Sequence, residues 1–336
     1  MSDYLLIDAA DESQNRRRQM LRTAFGPTIA NALADPKTLE VMVNPDGRLW
    51  VDRAIEGRIN TGDRIGTAEA ERIIRLVAAH VRREVHERAP IVSAELPDTG
   101  ERFEGLMPPV TTAPCFSIRK PADVVFRLPD YIVAGIMTIA QAVALEHAVR
   151  TRRNIVVVGG TSSGKTTLVN ALLAEIADFG ERVIILEDTR ELRCAAPDCV
   201  TLRTKPGVAS LADLVRSTLR LRPDRIIVGE VRGPEALDML KAWNTGHPGG
   251  ITTVHANSPL LALHRLEQLV QEAVVTVPRT LIAHAVEIIV FIDGRGNNRR
   301  VSSILEVFGL DGDGEYVLKP LGASPLRAVD AMGVGS

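Results

Sequence analysis

The chain has 336 residues, of which 45% are apolar and 24% are charged, and its formal net charge at neutral pH is −2. These values are ordinary for a globular protein of about two domains, and they exclude the global positive field that nucleic-acid-binding proteins often carry. The longest apolar stretch, residues 131–145, is too short to span a bilayer.

The N-terminus and the cysteines indicate the cellular compartment. The first residues are acidic and polar, so we predict no signal peptide. The three cysteines, Cys115, Cys194 and Cys199, are too few for a disulfide framework and are typical of a reducing compartment, and no second pair completes a zinc site. We therefore expect a cytoplasmic protein, for which peripheral attachment to a membrane complex stays open.

Residues 1–120 predict a small α+β domain. Residues 1–30 are expected to be helical, with the basic cluster at 16–18 on a solvated helix face. A longer amphipathic helix is predicted over residues 67–87, because apolar residues recur at every fourth position from Ile73 to Val85. The expected strands are residues 39–43, 49–51, 102–106 and 115–118.

Residues 121–134 are predicted to be a linker, and beyond them apolar runs alternate with helical stretches. Near-continuous β-branched runs predict strands that are buried on both faces. They indicate a doubly wound α/β domain over residues 135–336, with a mostly parallel sheet and helices on both faces. The expected strands are residues 155–158, 182–186, 199–203, 226–228, 251–254 and 287–291. The expected helices are residues 138–150, 165–177, 210–221, 234–244 and 260–274.

The most informative motif is GGTSSGKTT at residues 159–167, between a predicted strand and a predicted helix. Its glycine and Lys165-Thr166 spacing is that of a P-loop, whose backbone N–H groups and helix start surround phosphate oxygens. Lys165 is expected to contact the β- and γ-phosphates, and the Thr166 hydroxyl is expected to bind Mg²⁺. The competing interpretation is a glycine-rich turn with a chance lysine. The predicted nucleotide contacts are Gly159, Gly160, Thr161, Ser162, Ser163, Gly164, Lys165, Thr166 and Thr167.

Two carboxylates follow predicted strands, at the edge where the ligand crevice of a parallel sheet opens. Glu187 follows one apolar run, and Glu230 follows another after Gly229, which stands where a P-loop enzyme usually has its Mg²⁺-binding aspartate. Glu230 is predicted to be the general base that polarises water, and Glu187 to assist Mg²⁺ or water. The alternative is that both carboxylates are helix caps or ion-pair partners.

Two histidines and an arginine-rich segment lie close to Glu230 in the sequence. His255 follows the predicted strand 251–254, and His247 precedes it. Each is a candidate to sense the γ-phosphate or to hydrogen-bond Glu230, and each is equally a candidate for a structural loop residue. The arginines of residues 219–225 indicate either a solvated helix end or a contact with a phosphate or a neighbouring subunit.

Four segments, in this order and at this spacing, resemble the secretion ATPase superfamily, the traffic ATPases of type II and type IV secretion. They are GGTSSGKTT, VIILEDTREL, LRLRPDRIIVGEVRGPEA and NTGHPGGITTVHANS. They match the family's Walker A motif, Asp box, atypical Walker B motif and His box. The match is strong over residues 138–310 and looser over 38–120. Within the superfamily, the chain is most similar to the VirB11-like ATPases of conjugal transfer.

The resemblance implies a homo-hexameric ring, in which a smaller N-terminal α+β domain is stacked over a RecA-like P-loop domain. ATP with Mg²⁺ would lie between the two domains. The implied partners are other type IV secretion subunits at the cytoplasmic face of the inner membrane, and the implied work is pilus assembly or substrate transfer. The implied site residues are Lys165 and Thr166 for phosphate and Mg²⁺, Glu187, Glu230 and His255 for hydrolysis, and Arg102 and Arg119 as arginines that reach the phosphates.

Other functions stay open from the sequence. The same ATPase core would serve a type IV pilus, a tight-adherence pilus or a type II secretion machine, although the short N-terminal region favours conjugation. A translocase that pulls DNA directly would need a basic stripe with interleaved aromatic residues, and aromatic residues make up only 4% of the chain. Direct nucleic-acid binding is therefore not predicted. A purely structural ring subunit fits poorly with an intact Lys165, Thr166 and Glu230.

Overall fold

A computed structural model of the chain describes residues 19–53, 56–97, 100–120, 126–205 and 207–321. The chain divides into two compact units, Met1–Asp123 and Val124–Ser336. The first 18 residues, including the basic cluster at 16–18, lie outside the described residues. In the part of the chain that the structure describes, no helix is both long and apolar enough to cross a membrane.

The first unit is an antiparallel sheet with two helices packed on one face. Its described elements are α1 (residues 19–34), β1 (Thr38–Val43), β2 (Arg48–Arg53), β3 (Gly57–Arg64), α2 (Thr67–His80), β4 (Ile91–Glu95), β5 (Arg102–Leu106) and β6 (Cys115–Arg119). The strand order is β3-β2-β1-β6-β5-β4. Alternate residues of the strands, such as Val41 and Phe103, join Ile29 of α1 and Ile73 of α2 in one hydrophobic core.

Two features of this unit differ from the sequence prediction. Helix α2 ends at His80 instead of residue 87, because the chain turns at Arg82, which has a left-handed φ of 55°. Val85 is still buried, but in the loop that follows, so the apolar period runs past the end of the helix. Strands β3 and β4 were not predicted. Strand β3 is a largely exposed, polar edge strand, and such a strand has no apolar alternation to detect.

Arg102 and Arg119 lie in this first unit, on neighbouring strands. They are register partners in the β5–β6 pair, so their side chains leave the same face with Cβ atoms about 5 Å apart. Glu95 of β4 is the register partner of Arg102, and Glu40 of β1 is that of Arg119. Each arginine is therefore flanked by the other arginine on one side and by a carboxylate on the other.

The second unit is built on a mixed sheet. Its described elements are α3 (Leu128–Val133), α4 (Ile139–Arg150), β7 (Ile155–Val158), α5 (Lys165–Ile176), β8 (Val183–Glu187), β9 (Cys199–Arg203), α6 (Leu211–Thr218), β10 (Arg225–Val228), α7 (Glu235–Asn244), β11 (Ile251–Val254), α8 (Pro259–Gln271), α9 (Arg279–Ala285), β12 (Ile288–Asp293), β13 (Arg300–Leu310) and β14 (Tyr316–Pro320). The strand order is β14-β13-β12-β7-β11-β10-β8-β9. All neighbours from β12 to β9 are parallel, and β13 and β14 extend the sheet as antiparallel strands.

The parallel strands are short apolar runs covered on both faces. Every residue of β7, β8, β10 and β11 is buried. Successive residues enter two different cores: Val156 and Val158 pack with α6 to α9, whereas Ile155 and Val157 pack with α3 to α5. Helices therefore cover both faces of the sheet, which confirms the predicted α/β class.

The predicted linker at residues 121–134 overlaps the first helix of the second unit, and its residues 121–125 lie outside the described residues. Residues 128–133 form α3, in which Leu128 and Tyr131 are buried in the core shared with α4 and α5. Pro129 lies in the first turn of this helix, a position that proline favours. The proline therefore marks the start of a packed helix and not a flexible connection.

One member of the arginine-rich segment before β10 has a structural role. Arg225 is 1% exposed, its Nη2 donates to the carbonyl of Val149 at 2.9 Å, and its Nε pairs with Glu181. It opens β10, so it lies at the amino edge of the parallel sheet, opposite the carboxyl ends of the strands. The phosphate-contact interpretation is therefore wrong for Arg225, which anchors β10 to α4.

Candidate active site

The carboxyl ends of the parallel strands bring the predicted site residues of the second unit to one edge of the sheet. Strand β11 lies between β7 and β10, and β8 follows β10. Along this edge the phosphate loop after β7 is therefore followed by His255, then Glu230, then Glu187. Because the order of the strands in space differs from their order in the sequence, only the topology shows that His255 stands between the loop and Glu230.

The phosphate loop connects β7 to α5. Ser162 and Gly164 have left-handed φ angles of 63° and 97°, the kind of conformation that lets neighbouring backbone N–H groups converge on an anion. Gly164 is the N-cap of α5, so the helix begins at Lys165. The hydroxyl of Ser163 is buried and has no hydrogen-bond partner among the described residues. This cradle fits an oxygen-rich ligand that would satisfy that hydroxyl.

Lys165 is 7% exposed and connects the loop to His255. Its Nζ donates to the carbonyl oxygens of Gly159 at 3.0 Å and Gly160 at 2.9 Å, and lies 3.2 Å from Nδ1 of His255. An ammonium group can only donate, so Nδ1 of His255 accepts and the ring proton resides on Nε2. Nε2 lies 3.1 Å from Oε1 of Glu230 and donates to that carboxylate.

His255 is neutral in this arrangement. Partial burial and then the charge of Lys165 lower its pKa below the ordinary value of 6.5, although the charge of Glu230 acts in the opposite direction. A neutral imidazole is the form that can accept at Nδ1 and donate at Nε2 at the same time. The ring therefore joins the phosphate-loop cation to the candidate base through two hydrogen bonds.

Glu230 has both carboxylate oxygens engaged. Oε1 accepts from His255, and Oε2 lies 2.6 Å from Nη2 of Arg232. Burial raises the pKa of Glu230, but the hydrogen bond and charge of Arg232, with the charge of Lys165, outweigh burial and hold that pKa below the usual carboxyl value. Glu230 is therefore ionised at neutral pH, as a group that accepts a proton must be.

Glu187 is in a different environment from Glu230, although the two acids lie on adjacent strands. It is 3% exposed, its Oε1 accepts from the backbone N–H groups of Glu191 and Leu192, and its Oε2 is buried with no partner among the described residues. Burial raises the pKa of Glu187 to about 7, against the two backbone hydrogen bonds that lower it. Near neutral pH this carboxyl is therefore partly protonated.

Gly229 makes room for Glu187. A Cβ built on Gly229 would lie 3.3 Å from Cγ of Glu187 and 3.6 Å from the carbonyl oxygen of Leu186. A side chain at this position would therefore require Glu187 to shift by a few tenths of an ångström. The contact with Glu187 is thus one structural reason why a residue without a side chain suits position 229.

A Glu187→Gln variant is expected to be more stable than wild type above pH 7. The raised pKa means that the folded state binds this proton more tightly than the unfolded state, so the free energy of unfolding falls as pH rises from about 4.5 to about 7. Glutamine removes that pH-dependent loss. The free energy of unfolding of the variant should therefore exceed that of wild type by about 1–3 kcal/mol at pH 8 and should equal it near pH 4.5. Urea unfolding of the two nucleotide-free proteins at pH 8 and pH 4.5 measures this difference.

The matched control for this prediction is Asp188→Asn. Asp188 is the exposed neighbour of Glu187, so its variant loses one carboxylate but keeps Glu187 and the wild-type dependence of stability on pH. If the Glu187→Gln variant also kept that dependence, the buried carboxyl would not be its source.

His247 lies at the other edge of the sheet. It precedes β11, whereas His255 follows that strand. Its loop is held there because Asn154, which precedes β7, accepts through Oδ1 from the N–H groups of Gly249 and Gly250 at 2.8 and 2.9 Å. The prediction that His247 senses phosphate is therefore wrong, and its loop serves to fix the amino ends of β7 and β11.

Two residues that the sequence analysis did not single out complete the site. Arg232 pairs with Glu230, and the only signal for it was its place two residues after that acid. Asn170 of α5 is 2% exposed and holds the loop after β8, donating to the carbonyl of Glu191 at 3.0 Å and accepting from the N–H of Arg193 at 2.8 Å. A lone asparagine in an apolar helix carries no recognisable motif.

Comparison with known proteins places the chain in a family. Residues 31–293 match the family described as type II/IV secretion system protein. The chain is 47% identical over 299 residues to the conjugal transfer protein TrbB of Rhizobium radiobacter, which covers 88% of this chain and 92% of that protein. It is 31% identical over 285 residues to the type IV secretion system protein VirB11 of Bartonella henselae, covering 73% and 80%.

A solved structure shares the fold. The X-ray structure of the ATPase DotB from Legionella pneumophila has a TM-score of 0.55 and 19% identity, covering 86% of this chain and 77% of that chain. The glycine-rich loop between β7 and α5 defines the class of P-loop proteins. The chain belongs to the type II/IV secretion system protein family, which confirms the resemblance read from its four motifs.

Proposed function

We propose that this protein is an ATP-hydrolysing motor of a conjugative type IV secretion system, which drives pilus assembly or substrate transfer. The similarity to a conjugal transfer protein over 88% of the chain supports the biological role. The observation that carries the enzymatic role is the series of contacts from Lys165 through His255 to Glu230. This series joins a phosphate-binding cation to an ionised acid, which is the pair of groups that nucleotide hydrolysis requires.

The nucleotide in this proposal is ATP, held in a RecA-like domain. The backbone of residues 159–167 surrounds the phosphates, and Lys165 balances charge on the β- and γ-phosphates. Mg²⁺, when bound, neutralises charge that develops on the phosphate oxygens. The Thr166 hydroxyl in the first turn of α5 would hold it. The carboxylate of Glu187 adds an oxygen donor of the kind that this ion prefers.

Glu230 polarises the attacking water in the proposed reaction. Each carboxylate oxygen has a second lone pair, so water can bind beside His255 and Arg232, and release of one partner would widen that access. Arg232 is the more exposed partner, with 54% of its side chain accessible, and exposed ion pairs are weak enough to exchange. Release of Arg232 would free Oε2 for water while His255 keeps Oε1 in place.

The N-terminal domain, residues 1–120, contributes arginines in this proposal. Arg102 and Arg119 stabilise charge on the phosphates from outside the P-loop domain, and residues 121–134 connect the two domains. The close placement of the two arginines on β5 and β6 supports a joint role. Because their side chains leave the same face of the sheet, both guanidinium groups could contact one polyanionic ligand.

The assembly in this proposal is a homo-hexamer that attaches peripherally to the cytoplasmic face of the inner membrane. We expect the purified protein to have six times the protomer mass with MgATP, measured by light scattering, and to release phosphate from ATP. A protein that stays monomeric at all concentrations would contradict the ring. A ring that releases no phosphate would contradict the motor. DNA-stimulated turnover that weakens with salt would indicate a DNA translocase instead.

A further inference from the structure

The hairpin between β12 and β13 brings Arg299 against the phosphate loop of the same unit. Its Nη2 donates to the carbonyl oxygen of Ser162 at 3.4 Å. A Cβ built on Gly164 would lie 2.9 Å from Nε and 3.1 Å from Cζ of Arg299. The guanidinium group therefore covers the glycine at which the loop becomes helix α5.

The backbone at Arg299 is fixed by the surrounding structure. Within the hairpin the N–H of Arg299 donates to the carbonyl of Gly296 at 3.2 Å. Two residues further on, the N–H of Val301 donates to the carbonyl of Ile136 at 2.7 Å, and its carbonyl accepts from Nε2 of Gln141 at 3.0 Å. The start of β13 is thus tied to the segment between α3 and α4. The fold therefore places the backbone of Arg299 within side-chain reach of the loop.

Arg299 is an unpaired cation among the described residues. It has no carboxylate partner there, and its Nε is buried without a hydrogen-bond partner. Four other enclosed arginines of this unit differ in this respect. Arg152 and Arg225 pair with Glu181, Arg153 pairs with Glu287 and Glu306, and Arg279 pairs with Glu267. Withdrawing a charged donor from water without a partner is costly, which indicates that a ligand supplies the partner.

Tyr131 does not fill that role. It lies near enough for the charge of Arg299 to act on it, but burial raises the pKa of Tyr131 and outweighs that charge. The phenol is therefore neutral and is not a counter-ion. The described residues supply no anion to Arg299, and the adjoining phosphate loop is where an anion is expected.

We propose that Arg299 is a nucleotide-binding residue, whose guanidinium donates to the phosphate chain of a nucleotide held by the loop. The inference rests on the proposed function and adds to it a second cation from the same subunit. Arginine has five N–H donors in a fixed fork. Nη2 can therefore keep its bond to Ser162 while the donors beside Gly164 meet the ligand. The residue would both brace the loop and increase its affinity for phosphate.

The test is calorimetric titration of MgADP into the full-length protein. Arg299→Ala is expected to weaken binding about 10- to 100-fold, the loss typical of one hydrogen bond between charged groups. Arg299→Lys should recover part of the affinity, because it restores the charge without the fork. The loss should shrink in high salt. Arg300→Ala is the matched control, since this exposed neighbour carries the same charge and should bind MgADP as wild type does.

The outcomes separate this inference from the function on which it rests. Unchanged affinity in Arg299→Ala would refute the role of Arg299 alone. Equal losses in the alanine and lysine variants, with a lower unfolding temperature of both nucleotide-free proteins, would show that Arg299 only supports the loop. Wild-type protein that neither binds MgADP nor releases phosphate from ATP would instead refute the proposed function.

Discussion

Replacing Lys165 by alanine is expected to abolish ATP hydrolysis, with a loss of at least about 1,000-fold in kcat/KM. A single donor aimed at transition-state charge is worth about 100- to 1,000-fold, and Lys165 supplies a full charge in a site where water is largely displaced. Its ammonium already lies within 3.0 Å of two loop carbonyls, so it needs little reorganisation to meet a phosphate. Steady-state phosphate release measures the effect.

The fold should survive this change, because the Lys165 side chain contacts the carbonyls of the phosphate loop and His255, all of which belong to the candidate site. The far-ultraviolet circular dichroism spectrum should therefore match that of wild type. Lys241→Ala is the matched control. It removes an exposed lysine from α7 of the same unit and should leave turnover unchanged. Wild-type turnover in the Lys165→Ala variant would refute the assignment of the phosphate site.

Replacing Glu230 by glutamine is expected to lower kcat about 100- to 10,000-fold while nucleotide binding persists. Glutamine has nearly the same shape and can still accept from Nε2 of His255 with its amide oxygen. It cannot take a proton from water at neutral pH, whereas the depressed pKa of Glu230 keeps the natural carboxylate ionised. Single-turnover phosphate release and MgADP titration separate the chemical step from binding.

The control for Glu230→Gln is Glu146→Gln. Glu146 forms an exposed ion pair with Arg150 on α4, so its loss should affect neither stability nor turnover measurably. A Glu230→Gln variant with normal kcat would show that another group activates water. In that case Glu187, the second acid at this sheet edge, would be the next residue to test.

The parts of the fold that the sequence predicts are those in which one physical signal dominates. The runs that form β7 and β11 are buried from end to end, and nothing but a strand covered on both faces accommodates them. The predicted end of α2 was wrong because Val85 continues the helical spacing of apolar residues although the chain has already turned at Arg82. Strand β3 was missed because an exposed edge has no buried side to impose a pattern.

The residues of the candidate site also fall into those that one signal in the sequence predicts and those that it does not. Lys165 and Glu230 were predictable because each stands at a fixed distance from a strand end, and the carboxyl ends of parallel strands share one edge. His255 was separable from His247 only after the structure showed which of them follows β11. The sequence could not predict the place of Arg299, since this residue lies far along the chain from the phosphate loop and in no motif. Its position depends on how β12 and β13 pair.

The close approach of Gly229 to Glu187 has a consequence for how this site can change over generations. A side chain at position 229 would require Glu187 to move by a few tenths of an ångström. Such a movement would strain the hydrogen bonds that Glu187 accepts from the backbone N–H groups of Glu191 and Leu192. The effects of substitutions at the two positions are therefore expected to be non-additive, so that the residue tolerated at position 229 depends on the residue present at position 187.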